Sequence, residues 1–190
     1  GGFARTNLAA VSASNGDILS WMNNCDGAVN AISGYNTQVF IAGDFSTIGG
    51  LSRQRVAVID MGGNITGLVL SPDGSVQCAK VKNGILYLGG NFTNIGGQSR
   101  SRLAACNLST GSITTWNPSA NAIVRTIDFA DTILFAGGDF TTVGSQSRNR
   151  LCAISMSNAS VMSWNPGANA PVYAVSVMDY LDKGFLPEAL

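Results

Sequence analysis

The chain has 190 residues, of which 45% are hydrophobic and 12% charged, and its 11 basic and 11 acidic residues give a formal net charge of zero. This balance excludes an intrinsically disordered chain, because disordered chains are usually rich in charge and poor in apolar residues. It offers no basic surface for nucleic acid, and no apolar run reaches the roughly 18 residues that a membrane-spanning helix needs. We therefore expect a globular domain with no nucleic-acid partner and no membrane insertion.

The residues that most often carry enzyme or metal chemistry are scarce. Histidine is absent, which removes the commonest general base and metal ligand. The four cysteines form no CxxC pair, so we expect no zinc site, no redox site and no cofactor. Buried free thiols are the simplest interpretation of the cysteines, and one disulfide in an exported protein is the alternative.

An internal repeat of 47–48 residues organises the chain. Phe45, Phe92 and Phe140 recur in one motif, a strand followed by two small residues, Asp or Asn, and Phe. A second marker with the same period is Trp21, Leu68, Trp116 and Trp164. Two independent markers with one period make a chance match a poor explanation.

In chain order, residues 1–24 match the second half of a repeat and predict a partial blade. Full repeats follow at about 25–71, 72–119 and 120–167. Residues 171–178 predict the first strand of another blade, and residues 179–190 form a divergent tail. The phase of the repeat favours a segment of a longer chain, and a four-bladed ring sealed by its own ends is the alternative.

The third repeat illustrates the strands that we expect in each unit. Apolar residues 122–129 and 132–135 predict a hairpin around Ala130-Asp131. The Gly137-Gly138-Asp139 run predicts a strand break, and the polar stretch after it predicts a loop. Residues 150–156 predict a third strand, and residues 161–164 predict a fourth that ends before Pro166.

Four short strands in each unit of this length are typical of a propeller blade. The sequence therefore predicts an all-β fold, a β-propeller or propeller segment made of four-stranded antiparallel blades. An open β-solenoid or a stacked array of meanders is the competing interpretation.

The segment LYLGGNFTNIGGQSRSRLAACNLSTGSITTWNP (residues 86–118) resembles the delta-60-type repeat of bacterial surface and secreted proteins and of phage-encoded propeller modules. The resemblance extends over roughly residues 5–178, and it departs at Leu68 and after Met178. It implies a propeller fold in an extracellular, cell-surface or virion-surface setting. It implies no particular activity.

The positions that recur in every repeat are interpreted mainly as structural. An Asp or Asn beside Gly is expected to satisfy backbone N–H groups at a tight turn, rather than to form a ring of cation ligands. These residues are Asp44, Asn91 and Asp139.

Two arginines follow this motif in each repeat. Arg55, Arg102 and Arg150 are expected to pair with the repeat's Asp or Asn or with a neighbouring carbonyl group. Arg53, Arg100 and Arg148 are the candidate interaction surface, a basic band that could hold a partner protein or an acidic glycan. The large rings of Trp21, Trp116 and Trp164 are expected to pack in the core or between blades.

No catalytic motif is present, so we expect a protein that is not an enzyme. Asp17, Asp26, Asp60 and Asp73 are interpreted as turn or strand-end residues at positions that are not equivalent between repeats. A glycosidase-like pair of carboxylates brought together by the fold stays open.

The function that the sequence favours is a non-enzymatic scaffold on a cell surface or virion, which mediates protein contact or adhesion. A carbohydrate-binding or glycan-hydrolysing propeller is one alternative. The other is a structural subunit of a virion or filament, in which neighbouring copies complete the blades.

Overall fold

The computed structural model describes residues 4–21 and 23–178. Regular secondary structure in this part is β-strand throughout, in three antiparallel sheets and three two-stranded ribbons. None of the described residues forms a helix that could cross a membrane. The prediction of an all-β fold is confirmed.

Each sheet and the ribbon that belongs to it form one unit, which we call a blade. The first blade consists of β1 (Val29–Tyr35), β2 (Gln38–Gly43), β3 (Thr47–Ile48), β4 (Leu51–Ser52) and β5 (Val56–Asp60). The second consists of β6 (Val76–Lys82), β7 (Ile85–Gly90), β8 (Asn94–Ile95), β9 (Gln98–Ser99), β10 (Leu103–Asn107) and β11 (Ser112–Ile113). The third consists of β12 (Val124–Ala130), β13 (Ile133–Gly138), β14 (Thr142–Val143), β15 (Gln146–Ser147) and β16 (Leu151–Ser155).

Within each blade the strands follow chain order, so the first strand is innermost. The orders are β1-β2-β5, β6-β7-β10-β11 and β12-β13-β16. The inner strand β6 packs against both β1 and β12, so the three inner strands lie side by side. The main apolar clusters lie between neighbouring blades, and a further cluster joins the N-terminal segment to the first blade.

This layered packing explains why the middle strands are apolar along nearly their whole length. Strands β2, β7 and β10 are largely buried because both of their faces are covered, in β7 and β10 by the neighbouring blades and in β2 by the second blade and the N-terminal segment. Strand β1 instead alternates between half-buried and exposed positions, as expected of a strand with one face in solvent. In the second blade Asn83 and Gly84 both have positive φ, as a two-residue hairpin turn requires.

The repeated Phe anchors each blade. Phe45, Phe92 and Phe140 are fully buried, and each lies between the end of the second strand and the start of the ribbon of its blade. Replacing such a ring by Ala removes its apolar burial and leaves a cavity, at a typical cost of about 3–5 kcal/mol.

The small residues before this Phe permit a close backbone approach. A Cβ atom added at Gly90 would stand 2.1 Å from the carbonyl oxygen of Ser75, the residue just before β6. A Cβ atom added at Gly43 would lie 2.0 Å from the Ala28 carbonyl oxygen, and one added at Gly138 would lie 2.1 Å from that of Ile123. No side chain fits at these positions without displacing the backbone.

The polar stretch that was expected to be a loop is instead a two-stranded ribbon in every blade. Strands β3 and β4 pair through Thr47–Ser52 and Ile48–Leu51, and Gly49 and Gly50 form the turn between them with positive φ. The preceding strand also runs further than expected, since β13 includes Gly137 and Gly138.

The fourth strand of each blade is shorter than expected. It is reduced to the two residues of β11 in the second blade and to single bridges, Ile59 with Ile65 and Ile154 with Val161, in the other two. The next carbonyl group along the chain is taken by an arginine. In the third blade Arg148 donates to the Met162 carbonyl oxygen at 2.6 Å, which ends the ladder there.

The segments on either side of the three blades follow the repeat. Val11 and Ile18 form the bridge equivalent to that of Ile59 and Ile65. Residues 171–178 carry no assigned strand, but they run beside the third blade, where the Val172 N–H donates to the Gly138 carbonyl oxygen at 3.1 Å. The expected tail at residues 179–190 lies outside the described residues, as do residues 1–3.

Candidate functional site

The inner strands share a β-bulge at the same position. The register shifts between Val29 and Ala31, between Val76 and Cys78, and between Val124 and Thr126. A bulge re-aims the extra side chain and often occurs next to binding sites. The extra residues here are Asn30, Gln77 and Arg125.

The bulged residues lie at a groove of about 540 Å³ formed by β1, β6 and β12. A second row of lining residues lies three positions further along each strand, at Ser33, Lys80 and Asp128. Both rows are repeat-equivalent, yet each blade contributes different chemistry to them. We call this surface the central groove.

Two ion pairs lie at the central groove. Lys80 Nζ contacts Asp128 Oδ1 at 2.6 Å, which links the second and third blades. Arg125 donates from Nε and from its terminal nitrogen to the two oxygens of Asp139, at 2.7 and 2.6 Å. The Arg125 guanidinium also lies 4.9 Å from the centre of the Tyr173 ring, a cation–π geometry.

These contacts keep both carboxylates ionised. Burial would raise the pKa of Asp128, but hydrogen bonds from Lys80 and from the N–H groups of Val177 and Phe129 outweigh it and lower that pKa. The hydrogen bond from Arg125 lowers the pKa of Asp139 in spite of partial burial. Neither group therefore resembles a carboxylic acid held protonated at neutral pH.

The arginine at the start of the third strand joins each blade to the chain segment that follows it. Arg55 donates to the Pro72 carbonyl oxygen at 2.7 Å, Arg102 to that of Ala120 at 3.1 Å, and Arg150 to that of Ala168 at 3.2 Å. The sequence left two partners open for these arginines, the repeat's Asp or Asn and a neighbouring carbonyl group, and these hydrogen bonds are made to the carbonyl group. All three arginines have positive φ, between 62° and 67°.

The arginines of the predicted basic band also bond to the backbone of their own blade. Arg53 donates to the Thr66 carbonyl oxygen at 3.0 Å and Arg100 to that of Thr114 at 2.6 Å. Arg148, which makes the same contact with Met162, is buried. These bonds use terminal nitrogens of the guanidinium groups, while each Nε is buried without a hydrogen-bond partner. Partner binding by Arg53, Arg100 and Arg148 stays a prediction.

The contacts of the repeated Asp and Asn differ from those expected. Asp44 accepts a hydrogen bond from Asn30 at 3.2 Å, and Asp139 accepts from Arg125, so both hold the bulged residue of their own blade. Their carboxylates are directed to the bulge because the second strand ends beside it.

A different repeated position accepts the backbone N–H groups of the turn. Asp73 Oδ1 accepts from Thr93 and Asn94 at 2.7 and 2.9 Å, as Asp26 and Asn121 do in the other blades. Asp26 and Asp73 are thus equivalent residues, and the expectation that they are not was wrong.

The tryptophan position is filled differently at each blade boundary. Trp116 is 6% exposed, donates from Nε1 to the Ser155 carbonyl oxygen at 3.0 Å, and contacts the Tyr87 ring edge-on. Trp21 lies against Gly63. Trp164 packs edge-on against Phe135 but is 44% exposed, since no described blade follows it.

The cysteines are free and buried, and burial raises the pKa of Cys78 and Cys152 to about 12. Within residues 4–21 and 23–178, no group of three or more His, Cys, Asp or Glu side chains could hold a metal ion.

The central-groove residues were not identified from the sequence. Asn30, Gln77 and Arg125 share one repeat position, and Ser33, Lys80 and Asp128 share another. The available signal was the change in chemistry at equivalent positions, which stands out once the repeats are aligned column by column.

A family profile described as "Domain of unknown function (DUF5122) beta-propeller" matches residues 82–104. This segment runs from the end of β6 to the start of β10. The chain has a β-propeller fold. The match bears out the resemblance to a propeller repeat family, without carrying the delta-60 name.

Solved structures are similar to the propeller over most of its length. The computationally designed Ika4 protein matches with a TM-score of 0.56 and 16% identity, over 81% of this chain and 82% of its own. The computationally designed Ika8 protein matches with a TM-score of 0.54 and 15% identity, over 80% of this chain and 41% of its own. The WD40 domain of Neurospora crassa Pan2 matches with a TM-score of 0.47 and 14% identity, over 77% of this chain and 41% of its own.

The propeller thus spans four-fifths of Ika4 and less than half of the Ika8 and Pan2 chains. No curated protein sequence matches it.

Proposed function

We propose that this propeller is a non-enzymatic scaffold that binds a partner protein through the central groove, at the surface of a cell or a virus particle. The observation that carries the proposal is the contrast between the repeated positions. Residues that build the blade stay the same or nearly so, whereas the rows led by Asn30 and Ser33 change chemistry from blade to blade.

The chemistry of the central groove favours a polypeptide ligand. It combines amide, hydroxyl, cationic and anionic side chains with an exposed apolar one, Ile32, which is 59% exposed. Protein interfaces typically combine such an apolar anchor with a polar rim. The ion pair of Lys80 and Asp128 fixes the two charges in place before a partner arrives.

A catalytic role has less support. A glycosidase of the usual kind needs one carboxylic acid with a raised pKa beside an ionised carboxylate. Asp128, which lines the central groove, and Asp139, which holds Arg125 at its edge, both have lowered pKa values and are both bound to cations.

The surface location rests on the delta-60-type resemblance and on the low charge of the chain. It is tested by antibody labelling of intact and lysed producing cells or particles. We expect labelling of the intact sample. Labelling that needs lysis would count against this part of the proposal.

Site-specific photo-crosslinking tests the binding surface. A benzophenone amino acid at Ile32 lies in the central groove, and one at Met61, which is 61% exposed, lies outside it and serves as a matched control. We expect a discrete crosslinked partner protein from Ile32 and none from Met61. Equal crosslinking from both sites, or none from Ile32 in the native setting, would contradict the proposal.

Carbohydrate binding is a second candidate because of Tyr173. Its ring is 69% exposed and stacks beside Arg125 at the edge of the central groove, an arrangement that suits a sugar ring and its hydroxyl groups. A glycan array separates the candidates. Binding that is lost in Tyr173→Ala would favour the glycan, and an array without hits would favour the protein partner.

A further inference from the structure

The boundary between the first and second blades contains a slot more than twice as large as the equivalent slot one blade later. The slot has a volume of about 440 Å³, and Phe40, Leu68 and Leu108 are among the residues that line it. The boundary between the second and third blades has a slot of about 200 Å³, lined by the equivalent residues Tyr87, Trp116 and Met156. We call the larger one the Leu68 slot.

The difference follows from the residues at equivalent positions. Trp116 fills the smaller slot with its indole, whereas Leu68 stands at that position in the larger one. Gly67 also replaces the equivalent Thr115. The Leu68 slot therefore lacks the large ring and part of a neighbouring side chain.

A hydrogen-bond acceptor remains where the indole is missing. In the smaller slot the Ser155 carbonyl oxygen accepts from Trp116 Nε1 at 3.0 Å and from the Ala159 N–H at 3.1 Å. The equivalent carbonyl oxygen of Asn107 accepts from the Gly111 N–H at 2.8 Å. Its other donor is the weak thiol of Cys106, 3.7 Å away, so it can accept a stronger second bond.

The surface beside the Leu68 slot can hold the chain that would carry such a ring. A second depression of about 410 Å³ shares Gln38 and Leu108 with the slot and continues past Tyr35 and Asn83. Its lining includes the polar residues Asn36, Asn83 and Ser109, whose amide and hydroxyl groups suit the backbone of an extended peptide.

We propose that the Leu68 slot binds the tryptophan side chain of a partner polypeptide. The indole packs against Phe40 and Leu68 and donates from Nε1 to the Asn107 carbonyl oxygen, as Trp116 does to Ser155. The repeat itself identifies the occupant, since the same slot one blade later holds an indole in this geometry. The Leu68 slot lies apart from the central groove, so this site does not depend on the function proposed above.

Titration of N-acetyl-tryptophanamide into the full chain, followed by NMR of backbone amides, tests the proposal. We expect saturable shifts at Gly67, Leu68 and Gly111, with a Kd in roughly the millimolar range for so small a probe. The 1-methylindole analogue cannot donate to Asn107 and should bind about fivefold more weakly or worse.

Two variants locate the site. Leu68→Trp fills the slot from within and should abolish binding, and Gly67→Thr should weaken it while leaving the ring position unchanged. Trp116→Leu opens the second slot and should add a second binding site if that variant folds.

The absence of saturable shifts at the slot would overturn the proposal. So would equal binding of the methylated probe, unchanged binding by Leu68→Trp and Gly67→Thr, or shifts confined to the exposed edge at Trp164. These results are independent of crosslinking in the central groove.

Discussion

At the residue scale, one oxygen acceptor holds the ribbon of each blade to the start of its inner strand. Asp26, Asp73 and Asn121 occupy this position, and each accepts two consecutive backbone N–H groups some 20 residues further along the chain. Asp26 and Asp73 also accept from the hydroxyl groups of Ser46 and Thr93. Because one blade uses Asn, an uncharged acceptor suffices for the geometry.

The charge of this acceptor predicts a dependence of stability on pH. Desolvation raises the pKa of Asp73, but the hydrogen bonds from Asn94 and Thr93 together outweigh it and hold that pKa well below its usual range. A lowered pKa means that the stabilisation is fully present above the unfolded-state pKa of about 4 and is lost as the pH falls through the folded-state value. Asp73→Asn should therefore be less stable than the unaltered chain at pH 7, with a gap that narrows towards pH 3.

Urea unfolding at a series of pH values measures this gap. Asn121→Asp is the matched control and should introduce the same pH dependence into the third blade. A gap between Asp73→Asn and the unaltered chain that is constant from pH 7 to pH 3 would contradict the account.

Arg102 combines an inter-blade hydrogen bond with a left-handed backbone, so its two costs can be separated. Both Arg102→Ala and Arg102→Gly lose the bond to Ala120, but only glycine adopts a φ of 67° without strain. We expect Arg102→Ala to lower the free energy of unfolding by roughly 2–3 kcal/mol, and Arg102→Gly by about 1 kcal/mol less. Chemical denaturation of both variants measures the two free energies of unfolding. A glycine variant that is less stable than the alanine variant would contradict the prediction.

The sequence supports only part of this residue-level description. It predicts that the arginines and the Asp or Asn positions are structural, because they recur in every repeat. It assigns the hydrogen bonds to the backbone N–H groups of the turn to Asp44 and its equivalents in the other repeats, because these residues follow Gly in the sequence. The true acceptors lie about 20 residues before the N–H groups they bind, and adjacency in sequence does not reveal contacts of that range.

At the element scale, the glycine at the end of each second strand lets two strands meet. The added Cβ at Gly90 would lie 2.1 Å from a backbone oxygen, and neither atom can move without breaking the sheet. Gly90→Ala should cost roughly 3 kcal/mol or more.

Gly34, in β1, is the matched control because nothing lies within 4 Å of an added Cβ there. Gly34→Ala should change the free energy of unfolding by less than about 0.5 kcal/mol. Thermal unfolding of the two variants compares them directly. Similar midpoints would show that the approach at Gly90 does not constrain the blade.

The strands of the sheets are largely predictable because they carry strong local signals. Apolar runs separated by the polar turn at Ala130-Asp131 predict the hairpin of β12 and β13. The ribbon of β3 and β4 is not predictable, since its residues are polar and its strands have two residues each. The fourth strand is shorter than expected because the arginine of its own blade takes the next carbonyl oxygen, a contact that depends on the folded blade.

At the scale of the whole molecule, the positions that build the blades differ from those that line the central groove. Fully buried Phe residues, close-packed Gly residues and backbone-bonded arginines recur in every blade and build the propeller. The central groove is lined by positions that differ between blades, so its asymmetry suits a single asymmetric partner. The sequence predicts the propeller from the period and from the four short strands expected in each repeat, but it does not indicate that the inner strands face one another.

Hydrogen exchange of the chain, with and without the partner captured from Ile32, tests the central claim most directly. We predict that added protection is confined to the inner strands β1, β6 and β12, which line the central groove. Protection confined to the outer ribbons β3–β4, β8–β9 and β14–β15, with the inner strands unchanged, would contradict it.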